Sequence, residues 1–270
     1  MKLGCAVWLI NAPTLAQRIK WVAEQGFEAI SLITTRLARD ETDLALTMNL
    51  VRDHQLATTF HLGIGKIEDG PHWEQWEGQM REVEGWVDAV GRVGNVSFDV
   101  GLRELGPQQH ECAYEATTAV LRHTLARLAA RGLQVSVENG WGPRGTAEHI
   151  QRLQEVAADP RLGLLLDLGH ANIHTHLQGL SPEAYIPSLP LPIYELHVHD
   201  NDGVSDQHEG VGAGCIDLPA MSRGLKAKGF DGLATVEVCP SVKPVELADC
   251  QQMAKVTRTK TAFAQAWGEA

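Results

Sequence analysis

Six short apolar runs in this chain each close on a residue able to bind a metal ion: TTFH at His61, VSFD at Asp99, VSVE at Glu138, LLLD at Asp167, YELH at His197 and ATVE at Glu237. The gaps between these residues are 38, 39, 29, 30 and 40 positions. One eighth of 270 residues is about 34, which is the length of one repeat in a barrel of eight strand-helix units. In such a barrel every parallel strand delivers its carboxyl end to the same rim, so residues far apart in sequence converge there. Strands covered by helices outside and packed inside read as continuous aliphatic runs, not alternating ones. An imidazole or carboxylate closing such a run is costly to bury unless it is paired or bound to a metal.

The spacing predicts strands near 3–9, 28–34, 57–62, 95–101, 134–138, 162–167, 193–199 and 233–238. Helical patterns lie between them, over Leu15 to Gln25, Asp43 to His54, His72 to Gly91, Gln109 to Ala130, Ala147 to Ala157, Pro182 to Ser188, Leu218 to Lys228 and Leu247 to Ala266. Gly26, Gly132 and Gly229 each follow a helical stretch and precede an apolar run, as a left-handed helix stop would require. The fold class expected is α/β, with residues 1–270 forming a single (β/α)8 TIM barrel domain.

A formal net charge of -11 favours solubility and disfavours a polyanion such as DNA or an acidic membrane as partner. The rim loops also hold few Arg or Lys residues to grip a phosphate backbone. Five scattered cysteines, Cys5, Cys112, Cys215, Cys239 and Cys250, form no C-x-x-C and indicate reduced thiols in a cytoplasmic protein. The start MKLGCAVWLI lacks a small-residue cleavage site and reads as a first strand, and no run reaches the roughly 20 apolar residues of a membrane span.

Glu138, Asp167, His197 and Glu237 close the fifth to eighth strands, and their oxygens with one imidazole suit Mn, Mg, Co or Zn as a divalent cofactor. Two further pairs stand close by, Asp167 with His170 in DLGH and Asp206 with His208 in DQH. Asp99 reads equally well as a ligand or as a carboxylate held by backbone amides or an arginine. His199 is read as a supporting group pointing away from His197.

VENG, DLGH, ELHVHDNDG, DQHEGVGAG, GFDG and VEV occur in an order that resembles the xylose isomerase-like barrels. That family joins sugar and sugar-phosphate isomerases and epimerases with endonuclease IV-type abasic-site nucleases. Resemblance to the isomerase branch implies one divalent metal between Glu138, Asp167, His197 and Glu237, with the two glutamates as acid and base and His170 beside the substrate. Resemblance to the nuclease branch implies three metals on nine ligands. His61, Glu138, Asp167, His170, His197, Asp206, His208 and Glu237 match eight of those positions, and Asp99 stands where the ninth is a histidine. His199 replaces a common lysine in the seventh-strand motif, and Ala213 replaces a common glutamate in GVGAG.

The expected activity is isomerisation or epimerisation of a small sugar, sugar phosphate or polyol through an enediolate. A small carbohydrate is the expected partner. Trp8 and Trp141 are placed to cover a sugar face, and Arg103 and Arg144 to fork a carboxylate or phosphate. The alternatives are an endonuclease IV-like phosphodiesterase on abasic DNA, a dehydratase or ring-opening enzyme for a cyclitol or keto acid, and a non-catalytic sugar-binding barrel. Trp73, Trp76 and Trp86 share one helix and read as packing on the barrel wall or on a subunit of a homo-oligomer. His174 and His176 read as solvated loop residues, and His72, His110, His123 and His149 carry no site signal.

Overall fold

Eight short strands pair in parallel, in sequence order, and close into a barrel: β1 (Lys2–Ala6), β2 (Ala29–Ile33), β3 (Ala57–Gly63), β4 (Val93–Asp99), β5 (Gln134–Glu138), β6 (Leu162–Asp167), β7 (Ile193–Val198) and β8 (Leu233–Val236). The computed structural model describes residues 1–34, 41–63, 73–91, 93–99, 107–140, 145–239 and 249–270; side chains at 41–43, 99, 107–114, 129, 249, 250 and 252 lie outside the description. The run LGLLLD in β6 is buried at all six positions, because helices cover one face and the barrel interior the other.

The helices are α1 (Leu15–Glu24), α2 (Glu41–Asp53), α3 (Trp73–Val90), α4 (Pro107–Ala129), α5 (Ala147–Ala157), α6 (Leu168–Gln178), α7 (Pro182–Ser188), α8 (Leu218–Lys228) and α9 (Asp249–Glu269). Their ends follow local chemistry. Thr14 and Gln17 form a reciprocal cap at the start of α1, and Asp217 accepts the amide of Ala220 at the start of α8. Gly26, Gly132 and Gly229 adopt φ of 69°, 74° and 80°, the left-handed conformation their positions after helices call for. On α3, Trp76 and Trp86 are buried against Phe98 and Phe60 of the barrel wall, while Trp73 is largely exposed.

Three expectations change. The segment Val7–Leu9 is a one-turn 3-10 helix and not the end of the first strand. Glu237 lies one residue past β8, since pairing with β7 ends at Val198 and Val236. HANIHTH belongs to α6 and not to a loop: Asp167 caps the helix by accepting the amide of His170, and Gly179 ends it in the left-handed region. His174 is therefore buried against Tyr185, with ring centroids 4.8 Å apart, and only His176 is exposed.

Below the rim the barrel interior is polar. Glu195 of β7 reaches across the barrel, where Oε1 accepts from Thr59 of β3 (2.9 Å) and Thr235 of β8 (2.8 Å), and Oε2 accepts from Asn95 of β4 (2.9 Å). Among the described residues, Cys5, Cys215 and Cys239 are not joined in disulfides. Among the described residues no helix is long and apolar enough to cross a membrane.

Candidate metal centre

Register places the first ligands. Asp167 pairs with His197 across β6 and β7, and Glu138 ends β5 beside Leu165 of β6. His197 is fully buried, and its Nδ1 lies 2.8 Å from Glu237 Oε2, 3.4 Å from Glu138 Oε1 and 3.8 Å from Asp167 Oδ2. Glu138, Asp167 and His197 offer ligand atoms within 4.8 Å of one another. His61, at the end of β3, brings Nε2 to 3.6 Å from Glu138 Oε2. Its Nδ1 lies 3.0 Å from Ser97 Oγ, and that hydroxyl reaches the Phe60 carbonyl at 3.2 Å. The serine thus accepts the Nδ1 proton, which leaves the Nε2 lone pair facing the site.

A second group sits beside the first. His170, Asp206 and His208 also bring ligand atoms within 4.8 Å, as do His199, His208 and Glu237. His170 donates Nδ1–H to the Asn139 carbonyl at 2.7 Å, so Nε2 faces Asp206 Oδ2 at 3.4 Å. His208 lies 3.1 Å from the same oxygen and stacks on His199 at 4.0 Å. His208 has φ of 48°, an uncommon value for a side-chain-bearing residue, held by the loop around it.

That loop is closed by hydrogen bonds of its own. Asp202 accepts the amides of Val204 (2.9 Å) and Ser205 (2.8 Å), which turns the chain toward Asp206. Buried Asp200 accepts four amides, from Asn201 (2.8 Å), Gly212 (2.9 Å), Gly214 (3.0 Å) and Ile216 (3.0 Å). The GVGAG turn accordingly wraps the Asp200 carboxylate.

His199 is a correction. Residues two apart on a strand share a face, so it points with His197 and not away from it. Its Nε2 lies 2.9 Å from Asp167 Oδ1. A methyl group on Gly169 would come within 1.9 Å of its ring, so only glycine leaves room for it there.

Two contributors carry no sequence expectation. Asn139, in VENG, accepts the amide of Asp167 (2.6 Å) and donates to its carbonyl (3.2 Å), locking β5 to β6 at the rim. Glu195 is the other, and the YELH run that flagged His197 also contains it. Trp8 stacks near His61 with centroids 6.1 Å apart and meets His197 edge-on at 6.3 Å, forming one wall. Arg103, Trp141 and Arg144 lie outside the described residues; Asp99 closes β4, and its side chain is outside them too.

Burial opposes charge on His170, His197, His208, Asp167, Asp206 and Glu237, yet the opposite charges beside each of these outweigh it. His170 is pushed up to about 10 against its burial, chiefly by Asp167 with Asp206 and Glu138, and His208 to about 9 by Asp206 and Glu237. His197 is raised well above the usual imidazole value by Glu237 and Glu138. Asp167, Asp206 and Glu237 are held low, despite burial, by the histidines around them.

The residues fit a divalent metal. His197 Nδ1 and Glu237 Oε2 are buried 2.8 Å apart without the geometry of a hydrogen bond, and His197 Nε2 also lacks a partner. Two atoms close yet misaligned with each other are arranged as ligands of a shared ion, and mixed oxygen and imidazole donors suit Mn, Co, Mg or Zn.

A family model described as xylose isomerase-like TIM barrel matches residues 19–256. The uncharacterized protein MJ1311 of Methanocaldococcus jannaschii is 29% identical over 113 residues, covering 39% of this chain and only 37% of that protein. A D-tagatose 3-epimerase-like protein superposes with a TM-score of 0.77 at 19% identity, covering 100% of this chain and 99% of that one. D-psicose 3-epimerase in the presence of D-fructose gives 0.78 at 12% identity, covering 99% and 100%. The IOLI protein with a binding zinc atom gives 0.71 at 16% identity, covering 99% of each. The chain belongs to the xylose isomerase-like TIM barrel family.

Proposed function

We propose that this protein is a divalent-metal-dependent isomerase or epimerase of a small sugar, sugar phosphate or polyol derivative. The observation that carries the reading is the convergence of Glu138 and Glu237 on buried His197, 3.4 and 2.8 Å from its Nδ1. Likeness to sugar 3-epimerases and to a zinc-bearing barrel supports it at the level of the fold.

Glu138, Asp167, His197 and Glu237 would hold the ion. When bound, it would polarise a carbonyl and steady the negative charge that develops as a neighbouring carbon loses its proton. One glutamate removes that proton, and the other returns it from the opposite face when the product is an epimer. Trp8 lies against the apolar face of the sugar and excludes water from the exchange. Asn139 and the Asp200 turn keep the carboxylates in place while protons move.

Deuterium uptake from heavy water into a panel of ketoses tests this directly. The wild-type protein with manganese is expected to label one carbon-bound position, and Glu237→Gln to lose that labelling while staying folded. Retained labelling in the variant would remove the two-glutamate scheme.

A second reading, a phosphodiesterase of the endonuclease IV type, draws on the separate His170, Asp206 and His208 group. Elemental analysis separates the two, with one metal per chain favouring the isomerase and three favouring the nuclease.

A further inference from the structure

We infer that Glu195 is a positioning residue that strengthens cation binding at the rim through its buried charge, without itself being a ligand. This rests on the metal-centred reading above and extends it to a layer that holds no ligand.

Glu195 is fully buried, and its strand position is two residues before His197 on the same face. Two strand residues span about 7 Å, so the carboxylate lies roughly one layer beneath the ligands. Thr59 and Thr235 reach one oxygen and Asn95 the other, from three different strands, and Asn95 is in turn held by Ser136 of β5 at 2.9 Å. These contacts span the barrel from β7 to β3 and β4, which sets the carboxylate inside the cylinder and under its mouth.

Among the described residues no cationic group pairs with it; every contact is a neutral hydroxyl or amide. Three donors converge on it, and a carboxylate buried among neutral partners is expensive compared with a well-packed apolar side chain. Packing alone does not call for a carboxylate at this place. A negative charge set about one strand layer below a divalent ion, in an interior that salt does not screen, attracts that ion strongly. The rim ligands already face burial costs, and this added field favours a cation over the protons that compete for the same atoms.

The experiment measures the dissociation constant for Mn2+ on the metal-stripped full chain, by competition with a chelating dye at neutral pH. Glu195→Gln keeps the shape and removes the charge, and it is expected to weaken Mn2+ at least about tenfold. Thr59→Ala disturbs the same layer but leaves the charge, and it is expected to change affinity less than about threefold. Equal affinity in wild type and Glu195→Gln would overturn the inference and leave the metal reading standing, as would equal weakening in the two variants. No Mn2+ binding by wild type would overturn both. If Glu195→Gln does not fold, the triple variant E195L/T59V/N95L, which replaces the polar layer by apolar side chains, is held to the same tenfold expectation.

Discussion

The carboxylate of Asp167 accepts the backbone amide of His170 at 2.7 Å while facing His199 Nε2 at 2.9 Å, so one side chain both starts α6 and lines the site. Fold and chemistry therefore meet at a single residue, and its substitutions separate them. Asp167→Ala removes the helix cap and is expected to cost about 1 kcal/mol or more. Asp167→Asn keeps a capping oxygen and is expected to lose less stability than alanine. Both variants should lose metal binding. Thermal unfolding of the two variants in excess chelator checks the order, and equal melting temperatures would show that the cap contributes nothing.

Metal affinity is expected to rise with pH. His170 and His208 stand near 10 and 9 in the folded chain, raised above the ordinary imidazole value. Their pairing stabilises the ion-free fold fully below about 6.5 and is lost as pH climbs through those folded values. Asp167, Asp206 and Glu237 run the other way, with stability present above the ordinary carboxylate range and lost as pH falls through their lowered values. A cation held by His197, itself raised well above the usual imidazole value by Glu237 and Glu138, must displace the proton there, so its apparent affinity should increase steadily from about pH 6 to 8. A flat titration profile over that window would count against ligation by His197.

Gly169→Ala is expected to push His199 out of place, because the added methyl would lie 1.9 Å from its ring. Overpacking of this kind costs about 1 to 3 kcal/mol. The variant should melt earlier and bind Zn2+ more weakly. Unchanged zinc affinity would show that His199 does not hold Asp167 in place for the ion.

Asp200→Ala would leave the amides of Asn201, Gly212, Gly214 and Ile216 without their acceptor. An unsatisfied buried amide costs about 1 to 3 kcal/mol, a loss expected in full only at buried Asn201, since water reaches exposed Gly212 and Gly214. Limited proteolysis is expected to cut Asp200→Ala faster than the wild type between β7 and α8. Equal cleavage rates would mean that the turn holds itself together without this carboxylate.

The barrel was legible because LLLD is buried throughout and YELH at every position but Tyr194, yet they end in Asp167 and His197, as the rim of a ligand-bearing barrel requires. Helix α6 was not, because Leu168 to Thr175 are all buried and no polar stripe marks a helical period. The 3-10 turn at Trp8 hid inside an apolar run that a strand would equally satisfy. His199 shows a different failure, since its sequence position already put it on the face of His197. Glu195 was obscured by its neighbour: one carboxylate inside an apolar run signals nothing until strands from across the barrel supply its donors.

Asp200 and Asp202 fold the segment carrying Asp206 and His208 by closing it on its own backbone. A scaffold finished in this way owes its shape to hydrogen bonds alone. On the metal reading proposed above, exchange of one ion for another would be an event at the mouth of the barrel, with no cycle of unfolding.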